Sequence, residues 1–177
     1  MSRFRNNLAA VVGLAVSAAV LMVTGAGPGA ATAAPKAKEQ VFEAKFECAI
    51  PSGSTSCAVA ADKQVPASRR LRLEYIKARL VIPVAAKTGF DFYVDYGDPS
   101  AAGGVGTIHA TPQFVSRTEG GFFNIYAIDE KAQTFAYRTP AYPAPKVRLS
   151  NPTGDPLNLQ NGTIQDGVLG GTLVGLE

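Results

Sequence analysis

The segment Leu71-Arg72-Leu73-Glu74-Tyr75-Ile76-Lys77-Ala78-Arg79-Leu80-Val81-Ile82 decides the fold class. Its apolar residues alternate, but the phase changes midway: Leu71, Leu73 and Tyr75 share one parity, whereas Ile76, Ala78, Leu80 and Ile82 share the other. Successive side chains of a strand point to opposite faces, so a one-residue slip would turn half of this set into water. A single extra residue at Tyr75-Ile76 reconciles the halves, which predicts a β-bulge in a long, bent strand. Arg72, Glu74, Lys77 and Arg79 then face solvent, and the interleaved acid makes this an ordinary solvated sheet face.

The same period-2 pattern recurs on both sides of this segment. Val41 to Cys48 places Phe42, Ala44, Phe46 and Cys48 on one face and Glu43, Lys45 and Glu47 on the other. After the turn signal Lys87-Thr88-Gly89, Phe90 to Tyr96 sets Phe90, Phe92, Val94 and Tyr96 inward against Asp91, Tyr93 and Asp95. Gly97 to Gly104 is a loop, and Thr118-Glu119-Gly120-Gly121 is a hairpin turn between Phe114–Arg117 and Phe122–Ile128. Thr134–Arg138 continues as a strand. Three prolines between Thr139 and Pro145 suit a crossing between sheets, and Val147-Arg148-Leu149 resumes strand character. Asn161-Gly162 predicts a type I′ turn with Leu159 opposite Ile164, and Val168–Leu176 closes the chain as a glycine-rich strand. Short strands with turn residues every ten positions or so predict an all-β domain over residues 41–177. Its expected form is a single antiparallel β-sandwich, jelly-roll or immunoglobulin-like, of about nine to ten strands.

The chain of 177 residues begins differently. Residues 1–33 read as a signal peptide: Arg3 and Arg5, then an apolar run from Leu8 to Val23, then Ala31-Thr32-Ala33, an A-x-A cleavage pattern. The apolar run extends roughly 24 Å as a helix, short of a roughly 30 Å hydrocarbon core, so a secreted or periplasmic protein without a transmembrane span in its mature part is expected. Mature residues start at Ala34, with 34–40 as a flexible N-terminal segment. Removing Arg3 and Arg5 from the 17 basic residues nearly balances the 14 acidic ones, which argues against nucleic acid as a partner. Cys48 and Cys57, the only cysteines, flank a Pro, Gly and Ser loop and are expected to form a disulfide in an oxidising compartment.

Two stretches resemble a known group. Val65-Pro66-Ala67-Ser68-Arg69-Arg70-Leu71-Arg72-Leu73-Glu74-Tyr75-Ile76-Lys77-Ala78 is similar to the entry strand of small, uncharacterised, exported bacterial β-sandwich proteins, and Gly170-Gly171-Thr172-Leu173-Val174-Gly175-Leu176 is similar to their last strand. The resemblance implies an exported all-β domain and transfers no catalytic residue.

For chemistry, the sequence has no G-x-S-x-G elbow and one histidine, His109, so no nucleophile, base and orienting group assemble; no catalytic residue is assigned. The spacing of Cys48, Cys57 and His109 does not suit zinc, and no metal or cofactor is expected, although Asp95-Tyr96-Gly97-Asp98 leaves a calcium reading open. Asp91 and Asp95 lie about 13 Å apart along a strand, too far for paired-carboxylate glycoside hydrolysis unless they lean together or Asp98 takes part. Tyr93, outward and flanked by Asp91 and Asp95, is the candidate ligand-binding site, because an aromatic face with acceptors suits a sugar ring. A non-catalytic binding or envelope-interaction domain, with a glycan or envelope component as partner, is the expected function. A carbohydrate-active hydrolase and a subunit of an extracellular assembly are the alternatives.

Overall fold

The structure, a computed structural model, describes residues 38–86, 90–151 and 161–176. The expected signal peptide, the turn at Lys87-Thr88-Gly89 and the arm Leu157–Gln160 lie outside the described residues. Among the described residues nine strands follow in order: β1 (Gln40–Ala49), β2 (Ser56–Ala60), β3 (Arg69–Pro83), β4 (Asp91–Gly97), β5 (Val105–Ala110), β6 (Gln113–Arg117), β7 (Phe123–Tyr137), β8 (Lys146–Ser150) and β9 (Thr163–Gly175). The two strands expected at Phe122–Ile128 and Thr134–Arg138 are one long strand, β7. Outside the strands there are two short 3₁₀ turns, Val84–Ala86 and Ala102–Gly104.

All pairings are antiparallel and run β1-β9-β3-β7-β4-β8-β2, with β5 on β4 and β6 on β7. The sheet curls until it is nearly a barrel. Between β7 and β4 the connection is one residue pair, Gly97 with Tyr137. A Cβ at Gly97 would run into the Tyr137 carbonyl oxygen, so this approach requires glycine. At the other margin the terminal strands β1 and β2 are joined by the Cys48–Cys57 disulfide, with Cα atoms 6.2 Å apart. In the proline-rich segment after β7, the Pro143 and Pro145 carbonyls accept from the N–H groups of Val65 and Ala61 at 3.1 and 2.8 Å.

The bulge in β3 is present, one residue earlier than expected. Pairing with both β7 and β9 shifts between Leu73 and Tyr75: against β9 Glu74 is the extra residue, since Leu73 and Tyr75 face the consecutive Gly171 and Gly170, whereas against β7 Glu74 stands opposite two residues, Ala132 and Gln133. Leu71, Leu73, Ile76, Leu80 and Ile82 are all fully buried. Tyr75 joins the solvent face, because its ring covers Gly170 of β9 and its hydroxyl finds Glu43 outside the core. Parity fixes the two flanking halves but is silent on which residue between them is extra. A second bulge lies in β9, where Ile164 faces the core on one parity and Leu169 and Leu173 on the other. Asp166, between them, adopts φ +50°, and the registers with β1 and β3 both shift there.

The core fills the inside of the curl, where Phe46 of β1 and Phe92 of β4 meet with ring centroids 6.2 Å apart. Phe46 and Tyr96 lie across from Gly167 and Gly106, positions where a Cβ would enter their rings. Glycine in these strands therefore makes room for aromatic side chains.

Only the Asn161-Gly162 side of the expected hairpin falls within the described residues. From Thr163 onward β9 has β1 on one edge and β3 on the other, with Ile164 opposite Cys48 and Leu80. Asn161 has φ +67°, and the Gly162 carbonyl accepts from Ile50 N–H at 2.8 Å.

Deleting Glu74 should abolish cooperative folding, since it turns one apolar half of β3 outward, whereas Glu74→Ala should retain a single sharp urea transition by circular dichroism. Leu80→Ala should cost about 2–5 kcal/mol. Replacing both cysteines by serine should lower stability by about 2–3 kcal/mol while leaving the fold intact. Two titratable thiols in denatured, unreduced protein would refute the bridge.

Candidate functional site

Strand β4 alternates as the sequence implies, with Phe92 and Val94 buried on the inner side and Asp91, Tyr93 and Asp95 on the outer side. Its neighbours then decide what surrounds Tyr93. Register places His109 of β5 and Arg148 of β8 directly opposite it. The His109 ring meets the Tyr93 ring edge to face, with centroids 4.0 Å apart and an interplanar angle of 83°. The Arg148 guanidinium carbon lies 4.7 Å from the Tyr93 centroid, a cation–π distance. Arg148 Nη2 also reaches Asp95 Oδ2 at 3.3 Å, and the Thr107 hydroxyl donates to Asp95 Oδ1 at 2.8 Å. Asp95 is only 8% exposed, and removing either partner would leave a buried carboxylate short of donors.

Tyr93 is thus half-buried and shared by two neighbours, not the bare platform that the sequence suggested. Its hydroxyl donates to Asp91 Oδ2 at 2.9 Å. That hydrogen bond, with desolvation and the Asp91 charge, raises the phenol above its usual value of 10.0, against the opposing pull of Arg148. The arrangement supplies acceptors at Asp91 and donors at Arg148 and His109 around one ring, all held on strands.

Asp98 stands apart from this row. Its Oδ1 accepts from the Ser100 backbone N–H and hydroxyl at 2.9 and 2.6 Å, and these bonds hold its carboxyl below the usual range. Asp91, Asp95 and Asp98 are therefore tied to different partners. Among the described residues no three His, Cys, Asp or Glu side chains gather as a metal site.

A concavity of about 790 Å³ lies elsewhere, on the outer face of β1, β9, β3 and β7. It sits between the two bulges: Glu74 and Asp166 are both in its wall, and Ala132 and Gln133 of β7, which drop out of register opposite Glu74, form another side. Tyr75 lies in it over Gly170 and donates its hydroxyl to Glu43 Oε2 at 3.1 Å; desolvation and then this bond raise its phenol above 10.0. Glu74 accepts from Arg72 Nε at 2.9 Å and the Thr172 hydroxyl at 3.0 Å, which keeps its carboxyl below 4.5.

His109, Arg148 and Tyr75 were not singled out as site residues by sequence reasoning. The first two become neighbours of Tyr93 only through cross-strand register, which a single strand does not encode. For Tyr75 a signal existed: the phase slip marks a place where one side chain must leave the core. No protein-family model, curated protein or solved structure matches this chain.

The Tyr93 phenol should ionise above pH 10, seen as the difference in tyrosinate absorbance between the native protein and Tyr93→Phe, and Asp91→Asn should bring it down. Because the folded value is raised, the stability that this hydrogen bond contributes is present at neutral pH and is lost as pH climbs through that value. An unchanged titration in Asp91→Asn would show that the bond is absent.

Proposed function

We propose that residues 41–177 form an exported, non-catalytic β-sandwich domain, secreted or periplasmic, that binds a glycan or another envelope component through Asp91, Tyr93 and Asp95. The sandwich reading draws on the strand path: β6-β7-β3-β9-β1 and β5-β4-β8-β2 are extensively paired within themselves and share the one pair Gly97–Tyr137. The observation that carries the binding reading is the row built on Tyr93, where an aromatic ring, two carboxylates, an imidazole and a guanidinium are fixed by cross-strand pairing. Fixed donors and acceptors around an amphipathic ring are what a polyhydroxylated ligand needs, since little side-chain ordering is left to oppose binding. Hydrolysis is disfavoured because the candidate carboxylates are engaged separately, with Tyr93, with Thr107 and Arg148, and with Ser100. The assembly reading keeps one support: edge strand β6 is exposed throughout and carries Phe114 and Val115 at 60% and 59% exposure.

Calorimetric titration of the mature protein with a panel of soluble glycans should detect binding that weakens at least tenfold in Tyr93→Ala, with Arg148→Lys intermediate. Reducing-sugar release should stay at the blank level. Turnover abolished by Asp91→Asn would move the protein to the hydrolases, and concentration-dependent oligomers lost in Phe114→Ser would favour the assembly reading.

A further inference from the structure

We propose that the groove between the two bulges is a second site, independent of the Tyr93 row, and that it takes an extended, uncharged oligosaccharide chain. The groove lies on a sheet face and not at an edge. β3 and β9 are hydrogen-bonded on both sides, so a ligand lying across them meets side chains and finds no free backbone ladder to extend. That disfavours an extended peptide, which gains affinity by adding a strand to an edge. Recognition must come from ring contact and from side-chain donors and acceptors.

Tyr75 provides the ring. It is seated where Gly170 leaves room beneath it and is held by Glu43, so its orientation is set before a ligand arrives. The wall around it alternates in sign. Glu43, Glu74, Asp129 and Asp166 are interleaved with Lys77 and Lys131, and Lys77 Nζ lies 3.9 Å from Asp129 Oδ1. A polyanion meets the acids and a polycation meets the lysines, whereas hydroxyl groups accept from one and donate to the other.

The shape supports a chain and not a single sugar. At Glu74, Ala132 and Gln133 the groove continues into a second depression of about 330 Å³ that reaches Arg72 and Phe135. From Lys77 to Arg72 along β3 this covers roughly 17 Å at the rise of a strand. Phe135, under the Arg70 guanidinium at 4.4 Å, puts a second aromatic ring at the far end.

The test is native affinity electrophoresis of the mature protein in gels containing dextran, galactomannan or hydroxyethylcellulose, with alginate as the anionic control. At least one neutral polymer should retard the protein while alginate does not. Tyr75→Ala should weaken that retardation at least tenfold. The exposed double variant Lys131→Ala/Gln133→Ala, which leaves the core untouched, should weaken it several-fold with an unchanged melting temperature. Absence of retardation by every neutral polymer overturns the proposal. So does retardation that survives both groove variants, and if it is lost in Tyr93→Ala instead, the Tyr93 row is the glycan site and the groove is not.

Discussion

The extra residue at Glu74 is the constraint on which the rest of this architecture depends. β3 is the middle strand of the longest paired array, and it must keep Leu71 and Leu73 in the same core as Ile76, Leu80 and Ile82. An uninterrupted strand of that sequence could do this for only one half. The bulge settles the conflict, and both neighbours shift register at the same place: β9 gives up one residue opposite Glu74, and β7 answers with an irregularity of its own at Ala132 and Gln133. It also sends Tyr75 outward and breaks the evenness of the sheet face, so the concavity lies where the core requirement forced an irregularity. The feature that secures packing and the feature that shapes the surface are the same residue.

Closure of the sheet rests on two slender contacts that differ in kind. One is steric: β4 and β7 meet only because Gly97 has no side chain to hold the Tyr137 carbonyl away. The other is covalent: Cys48 and Cys57 tie the first and last strands of the path. The chain around the disulfide adds hydrogen bonds, with Lys45 N–H on Asp62 Oδ1 at 2.7 Å and Asp62 N–H on the Lys45 carbonyl at 2.9 Å. Between these margins, the Phe46–Phe92 contact shows the interior packed across the curl from β1 to β4.

What the sequence makes legible here follows from what a strand encodes locally. Alternation over Val41–Cys48, Phe90–Tyr96 and Leu71–Ile82 identifies strands and their inner faces, because burial imposes period 2 on the residues themselves. Glycine and proline mark the breaks for equally local reasons. Partners are another matter. Nothing in Asp91-Phe92-Tyr93 announces that His109 and Arg148 will flank the ring, since that depends on which strands become neighbours. The partners of β9 are equally silent in its sequence: nothing in Thr163-Ile164-Gln165 announces that β1 and β3 will flank it. The second bulge was within reach, as Ile164 and Leu169 differ in parity, but the glycines beside them blur the pattern.

The position of β9 has a consequence in time. β9, the last of the described strands, lies between β1 and β3, two of the first, and pairs with both along most of its length. Until it arrives, β1 has no ladder partner among the described strands, and one edge of β3 stands open. The sheet is therefore joined through β9, whose contacts with β1 and β3 are of long sequence separation, a topology that folds slowly compared with a meander of the same size. Before β9 emerges, the unfinished edges of β1 and β3 are exposed to wrong partners.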